Sequence, residues 1–172
     1  MRTALIVSGL VSVLFSGAIF GFFYAWVCST MWGLDATDPK IAIAAMQAMN
    51  ASVRNPVFAP AFFGTPIVLA LTALLAFICT QKDVALLFFL AAVVYALGGF
   101  FLTIMVNVPM NEALARTEIP TDIDEARAIW SGYSSRWQTW NQARTVASGI
   151  ALLLAAIGLL RFGDFRTWRG IS

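Results

Sequence analysis

Four stretches without a charged residue divide the chain, at about residues 4–33, 58–80, 84–106 and 145–160. A helix needs roughly 20 apolar residues to cross a bilayer. The first three stretches approach or exceed that length, and the fourth continues a helix that starts earlier. Between the first two, "TDPK" offers Asp38 as an N-cap and Pro39 at the first helical position. "IAIAAMQAMNASVR" then reads as a short helix over about 39–54, stopped by Asn55-Pro56. After the third stretch, "NVPMN" is expected to end the helix at Pro109. "IPTDIDEARAIW" restarts one behind Thr121 and a run of acids.

No proline occurs from Ile123 to Leu160. At about 1.5 Å per residue this makes a rod of about 57 Å, almost twice the hydrocarbon thickness of roughly 30 Å. Its outer part, about 123–144, must therefore project from the membrane. Ile123, Ala126, Trp130, Tyr133, Trp137, Trp140, Arg144, Ala147, Ala151 and Leu154 recur in steps of three and four, the spacing of a bundle seam. The pattern predicts an all-α fold: a four-span transmembrane helical bundle with extracytoplasmic helical extensions, forming a single membrane domain over residues 1–172.

Composition agrees: 60% of residues are hydrophobic and 12% charged, against roughly 25% charged in soluble domains. A net charge of +2 gives no reason to expect nucleic acid. The first apolar run is longer than a signal-peptide core and lacks an Ala-x-Ala site, so it is expected to stay in the mature protein. Arg2, Lys82, Arg161, Arg166 and Arg169, with only Asp83 and Asp164, fall on one side of the spans. Basic residues in short flanks favour the cytoplasm. A multi-pass protein of the plasma (inner) membrane with both termini cytoplasmic follows. In the first span, Ser12, Ser16, Gly17 and Gly21 form two small-xxx-small pairs that let helices approach closely.

Histidine is absent, which removes the commonest metal ligand and general base together. Cys28 and Cys79 are expected near opposite membrane faces, too far apart to pair. No His-ligated metal or haem is expected, and the cofactor is otherwise unknown. No acid lies inside a span, which argues against an ion-coupled pump.

The outer ends of the helices instead carry amides. "MQAMNASVRNP" supplies Gln47, Asn50, Arg54 and Asn55. "NVPMNE" supplies Asn107, Asn111 and Glu112, and "WQTWNQAR" supplies Trp137, Trp140, Asn141 and Arg144. Interfacial tryptophans, a snorkelling arginine and helix-capping asparagines account for each alone. Their convergence from three segments on one face predicts an aromatic-walled, amide-rich pocket with one fixed cation.

"AIAAMQAMN", Asn55-Pro56, "FFGT", "NVPMN" and "W..Y...W..WN..RT", in this order, resemble the DUF1772 or anthrone oxygenase family from about Ser8 to Leu160. The resemblance implies a four-span membrane protein and, for some relatives, oxidation of anthrones to anthraquinones by dioxygen. Many relatives carry histidine where this chain has Gln142, so any chemistry that needs that imidazole is missing here. On this reading Trp137 and Trp140 hold a phenolic ring. Arg144, Asn50, Asn107 and Asn141 stabilise its enolate, and Glu112 is the candidate base, because arginine stays protonated. Gln47, Asn55 and Asn111 complete the binding set. The partners expected are the bilayer and an apolar aromatic molecule. The same residues also suit a non-catalytic structural or interaction protein, including a homo-oligomer, or a binder of apolar metabolites.

Overall fold

In the computed structural model, which describes residues 1–168 and side chains through Gly163, every regular element among the described residues is helical. Arg169 and the side chains of Asp164 and Arg166, which entered the charge count, lie outside this range. Helix α1 is Arg2–Asp35, α2 is Pro39–Ser52, α3 is Phe58–Ile78, α4 is Lys82–Ala115 and α5 is Ile123–Trp168. All but α2 are long and apolar enough to cross a membrane.

The four long helices pack in the cyclic order α1, α3, α4, α5, each against its two neighbours. Chain direction makes neighbours antiparallel. One end holds Met1 and the α3–α4 turn. The other, the cap end, holds α2, both long connections and the first turns of α5. Two cores result. Leu5, Ile19, Leu69, Phe88, Tyr95 and Ala155 fill the space between the spans. Met31, Ile43, Met46, Leu114, Ala126 and Trp130 fill the cap. Leu14, Ile67, Phe89 and Leu153 point outward, as expected where the solvent is hydrocarbon.

Lipid gives apolar faces no incentive to leave it, so helix pairing rests on close fit and polar links. Gly98 provides the tightest crossing: a Cβ there would sit 2.5 Å from that of Ala147. Ser12 and Thr72 hydroxyls meet at 3.0 Å between α1 and α3. The small-residue pairs of α1 divide: Ser12 and Ser16 are buried, whereas nothing lies within 4 Å of a Cβ built on Gly21.

Two prolines are absorbed differently. Pro66 lies inside α3 and offers no N–H to the Phe62 carbonyl one turn earlier. The Tyr95 hydroxyl donates to that carbonyl at 3.0 Å. Tyr95→Phe should therefore cost about 1–3 kcal/mol by leaving a buried acceptor unpaired. A thermal melt in detergent measures it, and a change under about 0.5 kcal/mol would mean the carbonyl has another donor. Pro109, expected to end α4, does not. The helix runs on to Ala115 after two π-helical segments, Ala96–Phe101 and Thr103–Asn107. These widen the ladder just before the ring that would otherwise clash with it, and proline then stands in the first turn of a fresh α-helical stretch.

The cap follows its sequence signals more closely. Asp38 accepts from the Lys40 amide at 2.8 Å with Pro39 next to it, and Lys40 reaches the Thr121 carbonyl. Helix α2 stops at Ser52, two residues short of the expected end. There the Asn55 amide donates to the Ser52 carbonyl at 2.7 Å, and its oxygen accepts from Val57 and Phe58, both at 2.9 Å. One side chain thus closes α2 and opens α3.

Candidate functional site

Between the cap and the spans lies a cavity of about 1020 Å³, at the upper end of the roughly 300–1,000 Å³ usual for small-molecule sites. Phe22, Phe23 and Trp26 of α1, Phe58 and Phe62 of α3, and Trp137 of α5 give its largely apolar walls their ring faces. Arg144 joins the lining from α5, with Asn50 and Asn111 from the cap side and Glu112 and Arg54 at the rim.

Arg144 is 5% exposed. Its Nη2 donates to Asn141 Oδ1 at 2.8 Å and its Nη1 to Thr103 Oγ1 at 3.3 Å, while Nε has no partner. The guanidinium carbon lies 4.5 Å from the centre of the Phe23 ring and 5.2 Å from that of Trp137. Ion pairs among the described residues are Arg54 with Glu112 and Arg127 with Asp124, so Arg144 takes part in none. A buried cation without a carboxylate, with N–H groups left over beside a cavity, is equipped to receive an oxyanion.

Asn141 holds this cation in place. Its Nδ2 donates to the Phe23 carbonyl at 3.1 Å, just before the π-helical turn Trp26–Thr30 of α1. The amide is therefore spent on positioning Arg144 and does not line the cavity. Asn107 does not line it either. It is fully buried, and neither polar side-chain atom has a partner.

The remaining amides form a network on the cap side. Asn111 Oδ1 accepts from Tyr133 Oη at 2.8 Å and from Trp137 Nε1 at 2.9 Å, and Asn111 Nδ2 donates to Asn50 Oδ1 at 3.0 Å. Asn50 Nδ2 approaches Tyr133 Oη at 3.4 Å. Gln47 lies outside this network and donates to the carbonyls of Leu114 and Thr117 at 2.8 and 2.9 Å, stapling α2 to the end of α4. Asn55 lines the cavity, but its polar atoms are engaged in the cap described above. Glu112 accepts from Arg54 at 3.3 Å with both side chains substantially exposed.

Trp140 is 38% exposed and stands outside the cavity. The buried stripe of α5 runs Trp137, Asn141, Arg144, Ser148, Ala151, Ala155, one residue off the strict heptad at this point. A straight α-helix drifts about 20° per heptad from a 3.5-residue repeat, and Trp140 is carried outward. It lies about 32 Å along α5 from Arg161, the depth at which tryptophan settles at an interface. Gln142 is likewise exposed and away from the cavity.

Sequence reasoning did not select Phe23, Trp26 or Thr103, which share the pocket with Arg144. Nothing marks Phe23 among 14 phenylalanines. Nor did it select Asp35, which accepts from Trp130 Nε1, Ser134 Oγ and Gln138 Nε2 at 2.7–2.9 Å and pins the end of α1 to α5. Among the described residues no three of Cys, Asp and Glu come together as metal ligands do.

No curated protein and no solved structure matches the chain. The family model described as anthrone oxygenase matches residues 57–154, which takes in α3, α4, Trp137 and Arg144 but neither α1 nor α2. More than half of the chain is covered, so this multi-pass membrane protein belongs to the anthrone oxygenase family.

Proposed function

We propose that the cavity binds a polycyclic phenolic molecule of the anthrone type and oxidises it with dioxygen. The observation that carries this reading is the Arg144 guanidinium, in no ion pair among the described residues, beside a largely apolar space with aromatic faces and large enough for fused rings. The family match supplies the reaction class. The charge distribution of the flanks supports an inner-membrane protein with cytoplasmic termini and an extracytoplasmic cap.

The chemistry would run as follows. The benzylic C–H of the anthrone passes its proton to Glu112, and the resulting enolate oxygen takes the free N–H groups of Arg144. That interaction is stronger with the anion than with the neutral ketone, so it lowers the barrier to ionisation. The carbanion carbon adds dioxygen, and the proton returns to the peroxide. The hydroperoxide then loses water together with the second benzylic hydrogen. The sum is anthrone plus dioxygen giving anthraquinone plus water. Trp26, Trp137, Phe22 and Phe58 supply ring faces to hold the substrate.

The hydrogen-bond network of Asn50, Asn111, Tyr133 and Trp137 favours a structural part for those amides: they complete the wall, and their polar atoms already serve one another. A binder that performs no chemistry would use the same cavity.

Oxygen uptake by the reconstituted protein with anthrone separates the two. One dioxygen should be consumed per anthraquinone formed, above a lipid-only blank. Saturable binding with no uptake would overturn the oxygenase reading. Glu112→Gln should lower turnover at least about tenfold, a conservative figure for a general base. Folding should be unchanged, since exposed ion pairs contribute only about 0–1 kcal/mol. Full activity in this variant would remove Glu112 from the reaction.

A further inference from the structure

We infer that the cavity takes its ligand sideways from the lipid, through a window between the start of α3 and the π-helical part of α4, and that its ligands are therefore membrane-dissolved. This rests on the binding reading above and adds the route and the physical class of ligand.

The window is visible in residues that line the cavity and face outward at once. Phe63 is 52% exposed, Ile104 is 41% and Val57 is 86%, and all three belong to the cavity lining. Below them the helices are closed: the Phe100 ring of α4 lies 5.2 Å from that of Phe62 and 5.7 Å from that of Phe63. Ile104 stands one turn above Phe100. At that level α3 is in its first turn and gives way to the short connection Val53–Val57, so α4 loses a full helical neighbour.

Depth favours lipid over water. Phe63 lies about 22 Å along α3 from Ile78, and Ile104 about 33 Å along α4 from Lys82. In a hydrocarbon layer of roughly 30 Å, the window straddles the far edge. The chemistry is graded the same way, with apolar side chains at the opening and Arg144 inside. A flat, weakly acidic ring system dissolved in the bilayer would slide in apolar edge first and meet the cation with its oxygen. On the water side, the rim instead carries the Arg54–Glu112 pair.

The test is the rate of ligand arrival in liposomes, read by stopped-flow quenching of tryptophan fluorescence with anthrone and, separately, with 2-naphthol. Arrival through the window predicts a rate set by the mole fraction of probe in the bilayer, unchanged when aqueous volume is increased at fixed mole fraction. Ile104→Trp should slow both association and dissociation about tenfold, because a narrowed gate delays passage in either direction. Phe63→Ala should speed both, which keeps the test valid if the bulkier variant folds poorly.

Rates that follow the free aqueous concentration and ignore both substitutions would overturn the window while leaving the Arg144 site intact. Window-dependent rates for naphthol, with no anthrone bound, would leave the window standing and defeat the anthrone reading alone.

Discussion

Arg144→Met yields a protein that melts no lower than the parent, binds anthrone more weakly and oxidises it at least about 100-fold more slowly. The two halves of this result have one cause. Burying a guanidinium costs several kcal/mol even after the surroundings relax. Two aromatic faces return about 2 kcal/mol, and the hydrogen bonds to Asn141 and Thr103 return part of the rest, but no carboxylate completes the compensation. Methionine occupies similar space without the charge, and Thr103 keeps its bond to the Gly99 carbonyl. One Asn141 lone pair is left unpaired. Folding therefore loses little or gains. Binding loses the groups suited to a developing oxyanion, where one preorganised donor is typically worth about 10²–10³ in rate. Calorimetry, tryptophan quenching and an oxygen electrode read the three effects. A melt several degrees lower with unchanged anthrone affinity would make Arg144 a folding element and end its candidacy for the site.

How far such a site can be read in advance depends on which physical signal each part leaves in the chain. The long rod of α5 leaves a plain one, because no proline interrupts the helical spacing from Ile123 to Leu160. Asp38-Pro39 marks the start of α2 equally well, through local capping chemistry. Arg144 is conspicuous because a cation beside an apolar run must face something. Signals fail where the outcome is decided between helices. Pro109 has the same local effect in any helix, but whether the chain stops there depends on the π-helical turns that accommodate it. Trp140 and Asn141 are adjacent in sequence, and which one faces inward is set by slow drift along the helix. The partners of Asp35 lie about a hundred residues away, and no spacing rule links them. The amides were visible as a group, but their division into wall, cap and cation holder was not, since hydrogen-bond partners are properties of the assembled cap.

Asn111→Leu should have the opposite sign on stability, although it too replaces a polar side chain with an apolar one of similar size. The Asn111 oxygen accepts from both Tyr133 and Trp137, and its amide donates to Asn50. Leucine leaves an O–H, an indole N–H and a carbonyl oxygen without partners at one stroke. Each orphaned buried group costs about 1–3 kcal/mol. The site is only partly buried, so water recovers some of this, and a net loss of about 3–5 kcal/mol is expected. The damage should be confined to the cap. The links between spans, such as Ser12 with Thr72 and Tyr95 with the Phe62 carbonyl, do not involve Asn111. Limited proteolysis should accordingly cut the Val53–Val57 connection while circular dichroism still reports most of the helix. A melt within about 0.5 kcal/mol of the parent would mean the network is dispensable. The two amides on this wall, Asn50 and Asn111, would then be open to ligand, and the division of labour between Arg144 and the amides would have to be reversed.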